Sequence, residues 1–169
     1  NENSTGTYTL SYDLNDNAGN GATQVTRTVT VVDTTKPVIT LTGSSTVTHE
    51  AATSYSDAGA TWTDTLDGNG TLVASGAVNV NAPGAYVLTY DFTDAAGNAA
   101  TQVTRTVTVL DTTKPVITLT GSSTVTHEAA TSYSDAGATW TDTLDGNGTL
   151  DTNGTVNPLL PGVYSLAFG

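Results

Sequence analysis

The sequence predicts an all-β chain of tandem Greek-key β-sandwich domains, each of about seven strands, with a 78-residue repeat. Three observations carry this. The stretch Asp33 to Leu72 returns letter for letter as Asp111 to Leu150, 78 positions later. Threonine supplies 37 of 169 residues, and with Val and Tyr it makes the β-branched and aromatic pool that suits a pleated surface. Short alternating segments are separated by Gly, Asn, Asp and Pro at the spacing of sandwich strands. The period is close to a small domain and longer than a solenoid unit, so the repeats are expected as beads on a string.

The register runs beyond the identical stretch. Gly76, Val78, Asn79, Pro83, Gly84, Tyr86 and Leu88 return as Gly154, Val156, Asn157, Pro161, Gly162, Tyr164 and Leu166. Upstream, Gly6-Thr7-Tyr8 and Asn17-Ala18-Gly19-Asn20 match Gly84-Ala85-Tyr86 and Ala95-Ala96-Gly97-Asn98. The expected division is therefore 1–32, the C-terminal strands of one repeat; 33–110, a complete domain; and 111–169, a domain without its last strand.

In order, Tyr8, Leu10, Tyr12 and Leu14 alternate with polar residues, and Val25, Val29 and Val31 share one parity after the turn Asp16 to Asn20. This is a β-hairpin. Arg27 falls on the valine parity, so it must be paired, bulged outward or near a wet strand end. Asp33-Thr34-Thr35-Lys36-Pro37 breaks the pattern and marks a short, semi-rigid junction, because proline cannot donate to a ladder. In 33–110 the expected strands are 37–42, 45–50, 60–64, 71–74, 77–81, 85–94 and 99–110. Asp67-Gly68-Asn69-Gly70 is read as one of the turns between them. Ile39, Leu41, Trp62, Tyr86, Leu88, Tyr90 and Phe92 are the expected core.

Sixteen acids against four bases leave a net charge of −12. That excludes a basic nucleic-acid footprint and an anionic membrane surface, and it favours cations or simple solubility. No cysteine is present, so packing and perhaps metal must do what disulfides do elsewhere. No apolar run has the length to span a bilayer.

The order D-T-T-K-P-V-I-T-L-T-G, S-Y-S-D-A-G-A-T-W-T-D, L-D-G-N-G, P-G-A-Y-V-L-T-Y-D-F-T-D-A-A-G-N and R-T-V-T-V resembles bacterial Ig-like domains. The group concerned is named after an insecticidal crystal protein and is similar in layout to hyalin repeats. The resemblance implies an Ig-like fold in tandem, in a large secreted or surface-anchored bacterial protein such as an adhesin. It implies a non-catalytic spacer with neighbouring repeats as partners, and an extracellular location.

Calcium is the cofactor the residues suggest. Asp64, Asp67 and Asn69, repeated as Asp142, Asp145 and Asn147, offer the oxygen ligands a hard cation takes, with glycine for the tight turn. The bland alternative is a turn made of its favourite residues. Asp94 and Asn98 form a second candidate, set against a hairpin turn that caps its own backbone. It could lie beside a linker Asp and hold a cation at the joint. One histidine per repeat, His49 or His127, is thin for a transition metal. No residues converge as a catalytic set. Arg105 is expected to pair with a carboxylate such as Asp57 or Asp91. Trp62 and Trp140 could serve as sugar platforms, which leaves a glycan-binding module as an alternative function. The ends suggest two arrangements. The sequence is a window of a longer array, or the hairpin of one copy enters the open sandwich of the next. The second would be head-to-tail donor-strand complementation into a filament, with Val25, Val29, Val31, Tyr164 and Leu166 at the interface.

Overall fold

The computed structural model describes residues 4–168. All thirteen elements among them are strands. β1 (Gly6–Tyr12) and β2 (Val25–Val31) pair antiparallel from Gly6↔Val31 to Tyr12↔Val25. The turn between them is closed by Asp16, whose carboxylate accepts from the Ala18 and Asn20 amides and from the Asn20 side chain. These bonds, led by the Asn20 side chain, hold the Asp16 carboxyl below the usual carboxylate range.

Repeat 33–110 contributes two three-stranded sheets. One is ordered β3-β5-β6, with β3 Val38–Leu41, β5 Ala60–Asp64 and β6 Gly68–Leu72. The other is ordered β4-β8-β7, with β4 Thr46–Glu50, β7 Gly84–Tyr90 and β8 Val103–Leu110. Each sheet has one face to bury, and the two-sheet arrangement is the Ig-like sandwich. The core centres on Ile39, Ala60 and Tyr90, with Leu41, Trp62, Leu72 and Phe92 packed against it. β8 is the most deeply set strand: Arg105 is 1% exposed, and Val107 and Val109 are fully buried.

Arg105 explains how a charge sits at a core position. Its guanidinium pairs with Asp57, while Nε donates to the Ser44 carbonyl at 2.9 Å and Nη2 to the Thr42 carbonyl at 2.6 Å. Asp57 also accepts from the Tyr90 hydroxyl and, at 2.7 Å, from the Gly59 amide. A buried charge is tolerable only when paired and hydrogen-bonded in this way.

The strands expected at 85–94 and 99–110 are shorter, at Gly84–Tyr90 and Val103–Leu110, because the Asp94–Asn98 turn between them bonds within itself and leaves only the bridge Thr93↔Ala99. Two further readings differ. The turn read at 67–70 is shorter, and β6 begins at Gly68. The reason is Trp62, which lies opposite Gly70 in register; a Cβ on Gly70 would stand 2.6 Å from its Nε1. Glycine is there to admit the indole, not to turn the chain. The strand expected at 77–81 does not form. The Asn79 carboxamide accepts from the Asn81 amide at 3.1 Å, and the Asn79 carbonyl accepts from the Ala82 amide at 3.3 Å. A side chain bonded to its own backbone competes with the ladder. Repeat 33–110 thus has six strands, with Ser75, in the connection after β6, bridged to Thr89 of β7.

Packing divides the chain into two compact units. The first holds residues up to Val47 with Ser56–Val78 and Tyr86–Val107; the second holds Thr48–Tyr55, Asn79–Ala85 and residues from Thr108 on. The second contains β9 (Val116–Leu119), β10 (Ala138–Asp142) and β11 (Gly146–Leu150) in the order β11-β10-β9. It also holds the short pair β12 (Thr152–Asn153) and β13 (Ala167–Phe168). Trp140 faces Gly148 as Trp62 faces Gly70.

Candidate functional site: the acidic loop and the linker

The acidic loop forms the same turn in both repeats. Asp64 Oδ1 accepts from the Leu66 and Asp67 amides at 2.8 and 3.0 Å, and Asp142 Oδ1 accepts from Leu144 and Asp145 at the same distances. This use of one carboxylate oxygen leaves the other. Asp64 Oδ2 and Asp142 Oδ2 are buried without a hydrogen-bond partner, and so is Asp33 Oδ2. A buried, unmatched carboxylate oxygen is costly, and Asp64 and Asp142 carry one at the same position of the two repeats.

In the second unit, Asp111, Asp142 and Asp145 bring one carboxylate oxygen each within 4.8 Å of one another. Asp111 opens the linker Asp111-Thr112-Thr113-Lys114-Pro115. Three carboxylates at this separation can share a hard divalent cation, which takes oxygen ligands at about 2.3–2.6 Å. Asn69 and Asn147 lie within β6 and β11, opposite Thr63 and Thr141. Asp142 and Asp145 were expected in one cation loop; the linker aspartate was expected beside the Asp94 turn, and the structure sets Asp111 next to Asp142 and Asp145.

Asp94 and Asn98 form the turn cap that was the bland reading. Asp94 accepts from the Asn98 amide at 2.6 Å and from its side chain at 2.8 Å. Burial pushes the Asp94 carboxyl up, but the bonds from Asn98, with those from the Gly97 and Ala96 amides, outweigh it and leave it lowered. The turn also reaches its surroundings. Asn98 Nδ2 donates to the Asp33 carbonyl at 3.3 Å, and Asp67 Oδ2 accepts from the Ala95 amide at 2.7 Å.

The other linker is fastened by Glu50. Its carboxylate accepts from the Thr112 amide (2.9 Å) and hydroxyl (2.6 Å) and from the Thr113 amide (3.2 Å) and hydroxyl (2.9 Å). These bonds, the Thr112 hydroxyl first, hold the Glu50 carboxyl down at about 2. Because the folded value is depressed, the fastening is complete above the ordinary value of 4.5 and is lost as pH falls from there through about 2. An NMR titration should show the Glu50 carboxyl and the Thr112 and Thr113 amides moving together with a midpoint near 2. A Glu50 midpoint near 4.5 would sink the assignment.

The histidines are held locally. His49 Nε2 meets the Thr53 hydroxyl and carbonyl and its ring packs edge-on to Tyr55; His127 does the same with Thr131 and Tyr133. Trp62 is half-buried, with its ring stacked on Phe92 at 3.9 Å. No helix among the described residues is long and apolar enough to cross a membrane.

No curated protein matches the chain. The family model for the bacterial surface protein, Ig-like domain, matches residues 39–109, which span β3 to β8. Residues 39–109 are therefore a bacterial surface Ig-like domain.

Proposed function

We propose that the chain is a non-catalytic spacer of a secreted or surface-anchored bacterial protein, its repeats joined by linkers that are fixed and not free to swivel. The observation that carries this is the four-bond grip of Glu50 on Thr112 and Thr113. Near-identical repeats fit such a part, since length is then set by copy number. NMR relaxation tests it. Thr112 and Thr113 should show backbone order parameters near the rigid value of about 0.85, falling below about 0.6 in Glu50→Ala. Equal mobility in both proteins would defeat the spacer reading.

Calcium at Asp111, Asp142 and Asp145 belongs to the same proposal, supported by the buried free oxygen of Asp142. Extracellular calcium modules bind with dissociation constants of about 10⁻⁴–10⁻³ M. Calcium at about ten to a hundred times that constant should add about 1.4–2.7 kcal/mol to unfolding. Asp142→Asn should remove the gain. A melting curve that calcium leaves unmoved would rule the site out.

A further inference from the structure

We propose that β6 of the Ig-like domain is an edge through which two copies of this chain pair, strand against strand and antiparallel.

The two sheets of repeat 33–110 have four edge strands, β3, β6, β4 and β7. An edge presents unpaired backbone donors and acceptors, and a protein that stays single blocks it with charge, proline or a covering segment. Three of the four are blocked. β3 follows directly on Lys36-Pro37. β4 ends in the charge of Glu50. β7 follows Pro83 and is covered by Ser75, whose amide donates to the Thr89 carbonyl at 2.8 Å and whose carbonyl accepts from the Thr89 amide at 3.0 Å. β6 reads Gly-Asn-Gly-Thr-Leu, and from Gly68 to Ala74 there is neither charge nor proline. Its neighbour in the sheet is β5, and among the described residues no segment bonds its other side.

The face beside this edge suits a second copy. Thr71 lies opposite Thr61, and Thr61 opposite Thr40, so a row of exposed threonines crosses the sheet. Cross-strand threonine pairs are favourable, and pairing β6 with itself carries the row on into the partner. Val73 shares the parity of Thr71 and is 93% exposed. Left in water at the end of a bare edge, it gains a strand to lie against.

Charge selects the occupant and the direction. Each copy carries a net −12, so two copies can meet only where their carboxylates stay apart. The acids nearest β6 are Asp64 and Asp67, in the loop before it, and Asp67 Oδ2 is already bonded to the Ala95 amide. Parallel pairing would bring two acidic loops together. Antiparallel pairing sets them at opposite ends of the contact, on the order of 20 Å apart at about 3.4 Å per residue, against a screening length of about 8 Å. A cationic peptide would find no carboxylate along β6 to hold it. The second repeat shows the same edge closed. β11 has the sequence of β6 and the same edge position, but Asp151 follows it where Val73 follows β6. A charge there is an ordinary way to blunt an edge.

Five residues a side make a small contact, so the dimer is weak by itself. Where spacers stand side by side on a surface, many such contacts add and stitch them into bundles. That consequence rests on the spacer reading; the pairing does not.

The test uses the full chain. Sedimentation equilibrium should show a monomer–dimer equilibrium that tightens as salt screens the net charge. Val73→Asp, which copies Asp151, should weaken the dimer about tenfold or more. The chain has no cysteine, so single thiols report proximity between copies. Thr71→Cys should be joined by a short bismaleimide at least about tenfold faster than Thr61→Cys, which shares its face one strand further in. Wild type that stays monomeric at every concentration and salt reached overturns the proposal. So does a Val73→Asp dimer as strong as wild type, or a Thr61→Cys protein linked as fast as Thr71→Cys, which would mean that faces meet and not edges.

Discussion

Arg105→Ala is expected to lower the unfolding free energy of repeat 33–110 by about 3–5 kcal/mol, a third or more of what such a domain has. The substitution removes a guanidinium that is 99% buried and leaves Asp57, 17% exposed, with Tyr90 and Gly59 but without its counter-charge. It also orphans the carbonyls of Thr42 and Ser44 at the edge of β3 and the start of β4. Lysine should recover only part of the loss, since an ammonium cannot reproduce a fork that spans two carbonyls and a carboxylate. Urea denaturation measures this. Arg27→Ala, which changes an exposed arginine of the same strand sequence, is the internal control and should shift the curve by no more than about 0.5 kcal/mol at dilutions where the chain is monomeric. Equal effects of the two substitutions would show that the Arg105 pairing contributes little.

Gly70→Ala should destabilise by about 1–3 kcal/mol, the cost of overpacking. The sign is what makes this informative. Within a strand, alanine ordinarily improves on glycine by about 0.5–1 kcal/mol through backbone entropy. Here the new methyl would meet Trp62 Nε1 at 2.6 Å and Cε2 at 3.0 Å. The indole has little room to retreat, because Phe92 is stacked on it at 3.9 Å with the rings 17° from parallel. Gly148 meets Trp140 at 2.7 Å and should respond in the same direction. A stabilised Gly70→Ala protein, read by thermal melting, would mean that the tryptophan packs elsewhere in solution.

These residues also show which parts of the molecule the sequence discloses. Alternation located β1, β2, β3, β4, β5 and the main body of β7 and β8, because one buried face imposes a period of two. Asp16 and Asp94 were legible as turn caps, since an Asp with an Asn four residues on bonds within its own loop. The pairing of Arg105 with Asp57 was foreseeable from a charge on an apolar parity, which has to be met by something. Gly70 was not legible. Local preference reads Asp67-Gly68-Asn69-Gly70 as a turn, and only the cross-strand position of Trp62 reveals a strand. Residues 77–81 failed the other way: Val78 and Val80 alternate, yet the Asn79 side chain captures the backbone first. The candidate cation site was half visible. Asp142 and Asp145 are neighbours in sequence, but Asp111 joins them only once β9 has paired with β10. The grip of Glu50 was not legible, because its partners Thr112 and Thr113 lie 62 and 63 residues away.

The parallel alignment of β4 and β8 bears on how the repeat carries load. A chain under tension is drawn backwards along β4, towards the N-terminus, and forwards along β8, towards the C-terminus. For strands running the same way, those pulls oppose each other along a shared axis. The bonds from Thr106 to Ser45 and from Ala51 to Leu110 are then strained together in shear and do not open one after another like a zip. Beyond Leu110 the chain enters the threonines held by Glu50, so force leaving the strand passes directly into the grip on the next linker. A domain without cysteines would thereby resist extension through strand direction alone.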